Sequence, residues 1–230
     1  KLMKNLHSPE NLVSEVPDSL EDVLRDYQKV GFSWFKLLAK YKFGGILADD
    51  MGLGKTLQSI AFILSVLPDI RARKLPVLIV APSSLIYNWK NELKKFAPVI
   101  NAGIIDGNKE KRAFLLKESG GLDVIITSYP VLRMDRALYR DKHFHSLFLD
   151  EAQAFKNPVT QTAKAVKVIQ AEYRFALTGT PIENSLDELW SIFSVVFPEL
   201  LPNRRLYSEM RRADITKRVR PFILKKKKKE

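Results

Sequence analysis

The chain reads as an α/β protein on a mainly parallel, doubly wound sheet, and three observations predict it. Short apolar runs alternate with runs of helical period, glycine- or proline-bearing turns join them, and the chemically capable residues cluster just after the apolar runs. Parallel strands joined through helices need crossovers that cover both faces of the sheet. Ligands of such sheets sit beyond the carboxyl ends of the strands. The informative loops are therefore those after Ala48, Ala81, Thr127, Leu149 and Leu177.

Residues 1–19 carry Pro9 and Pro17 without a sustained period and read as an irregular leading segment. From 20 to 42, Leu20, Val23/Leu24, Tyr27, Val30/Gly31, Trp34/Phe35 and Leu38 recur at three- and four-residue intervals, which predicts a helix with Ser19 as its cap. Gly44-Gly45 end it, and 46–48 is a short strand. Thereafter 55–67 is helical, 77–81 a strand, 85–96 a helix, 103–105 a strand, 109–118 a helix and 123–127 a strand. The strands 146–149 and 174–177 flank a helix at 159–170. These divisions make 20–202 one lobe and 203–230 a basic helical segment and connector.

With 230 residues, 46% of them apolar, the chain can bury a full core, which excludes a disordered protein. No apolar run approaches the roughly 20 residues that cross a bilayer, so a soluble protein with no membrane partner is expected. The absence of cysteine excludes disulfides and thiolate metal sites. His7, His143 and His145 have neither the spacing nor the acidic companions of a metal site, so surface or satisfied polar positions are expected. Nothing points to a homo-oligomer. The net charge of +12 is unevenly placed: residues 203–230 hold 12 Lys/Arg against Glu209, Asp214 and Glu230, whereas residues 1–202 hold 26 against 23. A nearly neutral body with a basic end argues only weakly for nucleic acid.

The first informative loop is Asp49-Asp50-Met51-Gly52-Leu53-Gly54-Lys55-Thr56, between a strand and a helix, the context of a phosphate-binding P-loop. Gly52 and Gly54 let backbone amides approach phosphate oxygens, and the following helix points its positive end at the same anion. Lys55 would neutralise the β- and γ-phosphates of ATP, and the Thr56 hydroxyl would ligate Mg²⁺. The strict pattern places glycine where Asp49 stands. After Leu149, Asp150 can hold Mg²⁺ through its water shell, while Glu151 can orient and deprotonate the attacking water. After Leu177, Thr178-Gly179-Thr180 could sense the γ-phosphate, in company with Gln153.

The chain resembles the superfamily-two helicases and, among them, the SWI/SNF-type ATPases. The resemblance lies in seven blocks in family order: LRDYQKVGFSWF (24–35), GGILADDMGLGKTLQSIAFI (44–63), LIVAPSSLIYNWKNELKKF (78–96), VIITSYPVL (124–132), LFLDEAQAFKN (147–157), FALTGTPIENSLDELWSIFSVVFP (175–198) and RPFIL (220–224). It implies a RecA-like P-loop lobe, the first of two, in a DNA-dependent ATPase that translocates on duplex DNA and remodels or displaces bound proteins. A strand-separating helicase, a restriction-type translocase and a nucleotide-gated scaffold remain as alternatives.

The resemblance further implies that Arg25 and Gln28 contact adenine, and that Asp49 is normal for the family. It places Asp50, Met51, Gly52, Leu53, Gly54, Lys55 and Thr56 around the nucleotide. It sets Pro82, Ser83, Asn88 and Trp89 together with Thr127, Ser128 and Tyr129 along a nucleic-acid groove, although helical spacing reads Trp89 and Trp190 as core. Ser84 reads as a helix cap. A second lobe would supply arginine fingers in cis. Ile182-Glu183-Asn184 resembles microbial members, which implies a bacterial cytoplasmic protein, with a nuclear address from the lysine run as the alternative.

Overall fold

A computed structural model describes residues 2–11, 14–50, 54–179 and 185–226. It contains seven parallel strands in the order β3-β4-β2-β5-β6-β1-β7. They are β1 (Gly45–Leu47), β2 (Val77–Ala81), β3 (Ala102–Ile104), β4 (Val124–Ser128), β5 (His143–Leu149), β6 (Gln170–Leu177) and β7 (Ile223–Leu224). The helices in chain order are α1 (Leu2–His7), α2 (Asp26–Lys40), α3 (Lys55–Ser65), α4 (Leu67–Arg73), α5 (Ile86–Phe96) and α6 (Lys109–Lys117). They continue with α7 (Tyr129–Met134), α8 (Arg136–Tyr139), α9 (Gln161–Lys167), α10 (Leu186–Val196), α11 (Arg204–Glu209) and α12 (Arg212–Val219). The doubly wound class expected from the alternation is the one found, and the sheet is parallel throughout.

Every residue of Val77–Ala81 is buried, as a strand covered on both faces requires, which is why it reads as a continuous apolar run and not an alternating one. β2 lies inside the sheet between β4 and β5, with Ile79 opposite Phe148 on β5 and Ile126 on β4. On one face Phe35 of α2 and Phe62 of α3 meet Phe148 and Phe175 of β5 and β6, with ring centroids 4.8 Å apart for Phe35–Phe175 and 5.9 Å for Phe62–Phe148. Such tilted packing adds to the area buried by each ring. α10 packs on β6 and β1, and α7 on β4 and β2.

Several boundaries differ from the expected ones. The helix α2 begins at Asp26, not at 20; Ser19 sits inside a short 3-10 turn, Asp18–Leu20, and caps nothing. Leu20 and Leu24 are nevertheless buried, so the period was read from core positions that straddle two elements. Arg25 occupies the cap position, its backbone N–H donating to Gln28 Oε1 at 2.9 Å. Ser84 likewise lies in a 3-10 turn before α5 and caps nothing. The run expected at 159–170 is a shorter helix, Gln161–Lys167, capped by Thr160. The leading segment contains α1 and buries Leu6 and Val16 in the core.

Residues 203–226 do contain helices, but they are also part of the lobe. Ile223 and Leu224 pair with Ile46 and Leu47 as the edge strand β7. Tyr207, Ile215 and Val219 are buried. Within RPFIL, Arg220–Phe222 form a 3-10 turn and Ile223–Leu224 the strand, whose two residues are too few to signal by periodicity.

His145, 1% exposed, pairs Nε2 with Asp69 Oδ2 at 3.0 Å and Nδ1 with Ser146 Oγ at 2.7 Å. Burial pushes its pKa below the ordinary imidazole value, against the opposing pull of Asp69. It is a satisfied polar position, while His7 and His143 are exposed.

Candidate nucleotide site

Three loops converge at the carboxyl edge of the sheet because β1, β5 and β6 are neighbours there. Gly54 opens α3 at φ +74°, a left-handed conformation that favours glycine. A Cβ at Gly54 would stand 2.2 Å from Gln28 Nε2, so this glycine also admits Gln28 against the loop. Gln28 is buried and Arg25 exposed one turn before it. Lys55 Nζ donates to the Asp49 carbonyl at 2.9 Å, which holds the ammonium over its own loop. Thr56 is the second residue of the helix and half-buried. Met51, Gly52 and Leu53 lie outside the described residues.

Asp49, at the position the strict motif gives to glycine, has a structural role. Its Oδ1 accepts the backbone N–H of Lys226 at 2.7 Å and its Oδ2 accepts Gln58 Nε2 at 3.3 Å. Ala48 and Asp50 donate backbone N–H groups to Leu224 and Lys226 at 2.8 and 3.2 Å. The phosphate loop is thus laced to the strand by which the chain leaves the sheet. Burial raises the Asp49 pKa, the hydrogen bonds from Lys226 and Gln58 opposing it. Gln58 was not singled out from the sequence. Fully buried on α3, it also donates to the Gly54 carbonyl at 3.3 Å, and a Cβ on Gly31 would fall 1.7 Å from its Oε1. A polar residue inside the apolar run LQSIAFI was the available signal.

Asp49→Gly restores the strict motif, yet it is expected to cost about 1 kcal/mol, because the Lys226 N–H loses its acceptor and the buried Gln58 amide loses one of its own. Urea unfolding checks this; a midpoint at or above wild type would show that the loop does not depend on the tie.

Asp150 follows β5 and is 7% exposed. Its N–H donates to the Val80 carbonyl at 2.8 Å, and its own carbonyl accepts the Tyr129 hydroxyl at 2.6 Å. Its Oδ1 accepts the Glu151 N–H at 2.9 Å and its Oδ2 the Trp89 indole Nε1–H at 2.8 Å. Burial raises its pKa; the Trp89 bond and the charge of Lys55 work in the other direction. Lys55 and Asp150 are therefore close enough to act on one another.

Glu151 adopts φ +48°, a left-handed conformation that costs a non-glycine residue about 1–3 kcal/mol and is concentrated at functional sites. Gln153 Nε2 donates to Glu151 Oε2 at 2.5 Å, and Gln153 Oε1 accepts the Thr178 hydroxyl at 3.0 Å. Thr178 in turn donates its N–H to the Leu47 carbonyl at 3.0 Å. The chain Glu151–Gln153–Thr178 joins the ends of β5, β6 and β1. Gly179 follows it half-buried, while Thr180 lies outside the described residues.

The residues present suit a magnesium ion. Mg²⁺ retains several waters and is held by one or two carboxylates together with substrate phosphates, not by a protein cage. Among the described residues no group of three or more acids or histidines is arranged to hold a metal ion by itself. Asp150, whose carboxylate oxygens each accept one bond, keeps acceptor capacity on both.

The expected groove residues divide. Pro82 is half-buried, and Ser83 and Asn88 are exposed. Thr127, Ser128 and Tyr129 do not line a surface: they are 0, 2 and 4% exposed. Thr127 Oγ1 donates to the Ile105 carbonyl at 3.3 Å, Ser128 Oγ caps α7 by accepting the Val131 N–H at 3.3 Å, and the Tyr129 hydroxyl is bound to Asp150. Side-chain contact from these three is corrected to internal bonding, since Thr127 and Ser128 end the buried strand β4 and Tyr129 opens α7 with its hydroxyl turned to the Asp150 carbonyl. Trp89 is core as its spacing suggested, but with a functional partner. Buried indoles need an acceptor for their N–H, which was the signal for it. Trp190 is partly buried and donates to the Pro202 carbonyl at 3.0 Å.

Comparison with known proteins gives the family. The model of the SNF2-related domain matches residues 27–230. An uncharacterised ATP-dependent helicase of Mycoplasma genitalium is 41% identical over 213 residues, covering 89% of this chain and 20% of that protein. The TATA-binding protein-associated factor MOT1 of Saccharomyces cerevisiae is 38% identical over 205 residues, covering 85% of this chain and 11% of that protein. The Sulfolobus solfataricus SWI2/SNF2 ATPase core in complex with dsDNA superposes with a TM-score of 0.80 at 36% identity, over 96% of this chain and 46% of that one. The chain thus spans a fifth or less of the length of these two relatives. With a matched family model over nearly all its length and the same RecA-like fold, the chain belongs to the SNF2-related domain family.

Proposed function

We propose that the chain is the ATP-binding lobe of a DNA-dependent ATPase that translocates along duplex DNA and remodels or displaces proteins bound to it. The observation that carries this reading is the convergence of Lys55, Asp150 and the Glu151–Gln153–Thr178 chain at one edge of the sheet. The Sulfolobus core, similar over 96% of this chain, was solved on dsDNA, which supports duplex DNA as the partner.

Each residue has a separable task. Lys55 neutralises charge on the β- and γ-phosphates, and Gln28 with Arg25 would contact the adenine, as the family resemblance implies. Thr56 and Asp150 would hold Mg²⁺, which supplies charge neutralisation at the transferring phosphoryl group. Glu151 positions and deprotonates the attacking water. Thr178 and Gln153 pass the state of that site to β6 and β1. Exposed Ser83 and Asn88 offer hydroxyl and amide groups that suit backbone phosphates without reading bases. A second lobe in cis completes the site with an arginine finger. Such a finger contributes about 10³-fold or more to the rate, so the 230-residue chain alone hydrolyses ATP slowly. The microbial resemblance around 182–184 supports a DNA-associated place in the bacterial cytoplasm.

The test is the ATPase rate of the full-length protein with duplex DNA, single-stranded DNA, RNA or nothing, with Glu151→Gln as blank. Stimulation by duplex without strand displacement is the expected result. Displacement of a strand would point to a helicase, and indifference to every nucleic acid to a nucleotide-gated scaffold.

A further inference from the structure

Two aromatic residues from different helices hold Asp150. Tyr129, first residue of α7 after β4, binds the Asp150 main-chain carbonyl at 2.6 Å, and Trp89, on α5 after β2, binds the carboxylate itself at 2.8 Å. Both are buried, Trp89 completely. The indole N–H is the sole polar atom of its side chain and has one donor to give, so its direction sets where Oδ2 can point. The backbone N–H of Glu151 does the same for Oδ1. Asp150 is consequently oriented at both oxygens, in a buried place where such hydrogen bonds are strong.

The opposite side of α5 faces outward. Ile86, Trp89 and Leu93 form its buried stripe, while Ser83 and Ser84 in the preceding turn and Asn88 beside Trp89 are exposed.

We infer that Trp89 is a positioning residue for Asp150, and that through it α5 transmits occupancy of its exposed Ser83–Asn88 side to the magnesium-holding carboxylate. The second half rests on the reading of that side as a nucleic-acid contact; the first half does not.

The experiment uses the 230-residue chain, with magnesium-dependent binding of a fluorescent ADP as readout. Trp89→Phe keeps the ring and deletes the N–H. Removing a partner that orients a metal ligand typically costs about 10–100-fold in metal affinity. The Mg²⁺ concentration at half-maximal nucleotide binding is therefore expected to rise about tenfold or more, with binding in EDTA unchanged. Trp89→His, which returns a ring N–H, is expected to recover most of the loss. An unchanged Mg²⁺ dependence in a folded Trp89→Phe protein overturns the positioning role, as does an equal loss in EDTA.

A measurement on the unaltered chain carries the same test should the variant not fold. The Trp89 indole N–H resonance should move on adding Mg²⁺ to the ADP-bound chain and stay fixed on adding ADP alone. A resonance indifferent to Mg²⁺ overturns the inference. For transmission, duplex DNA should move this resonance and lower the half-saturating Mg²⁺. DNA that binds without either effect overturns transmission. DNA that does not bind the full-length protein overturns the proposed function, and with it transmission, while the Mg²⁺ result still decides the positioning role.

Discussion

Glu151→Gln in the full-length protein is expected to lower ATP turnover by about 10²–10⁴-fold, the usual contribution of a positioned general base, while nucleotide affinity stays near wild type. The argument starts from the backbone. Glu151 stands at φ +48° directly after β5, and that strain persists because the Glu151 N–H is fixed on Asp150 Oδ1 and its carbonyl accepts the Ala154 N–H at 3.0 Å. Gln153 holds Oε2 at 2.5 Å, which leaves Oε1 to take a proton from water. Glutamine preserves the shape and the contacts to the loop but cannot accept that proton. Single-turnover hydrolysis alongside fluorescent-nucleotide binding separates the two effects. Turnover within a few-fold of wild type would remove Glu151 from the chemistry and transfer the base to another group.

The largest expected stability change lies far from the nucleotide. Arg112 on α6 makes a two-pronged ion pair with Asp135 between α7 and α8, Nε to Oδ2 at 2.7 Å and Nη2 to Oδ1 at 2.9 Å. It also donates from Nη1 to the Gly107 carbonyl at 2.8 Å. The two side chains are only 9 and 4% exposed. Asp135 raises the Arg112 pKa by hydrogen bonding, so the guanidinium stays charged. Arg112→Ala therefore leaves a buried carboxylate without its cation and is expected to cost about 3–5 kcal/mol. Replacing both residues, Arg112→Met with Asp135→Ala, removes the stranded charge as well and should be milder than the two single losses combined. A double-mutant cycle in urea reads this; additive losses would show that the pair contributes no coupling.

What could be read in advance follows the range over which each physical signal acts. The strand at 77–81 was visible to the residue because five consecutive buried positions leave a continuous apolar run. The acids after β5 and the glycine-rich loop after β1 were visible because strand ends carry ligand chemistry in a doubly wound sheet. The start of α2 was misplaced because Leu20 and Leu24 belong to the same core as α2 without belonging to its helix. Ser84 failed as a cap for a related reason, since a 3-10 turn intervenes before α5. The two-residue strand β7 has no period to detect. Trp89 was read as packing because burial is what its spacing encodes, and spacing says nothing of where an N–H points.

The sequence by itself determined the fold class, the order of the loops and which side chains have the chemistry for ATP. These depend on local period and on motifs a few residues long. The tertiary structure alone decided how those groups are aimed. Asp49 meets Lys226 across 177 positions of chain, Trp89 meets Asp150 across 61, and Thr178 meets Gln153 across 25. The hydrogen bonds that orient the site join segments that are neighbours in space and strangers in sequence, so no local pattern records them.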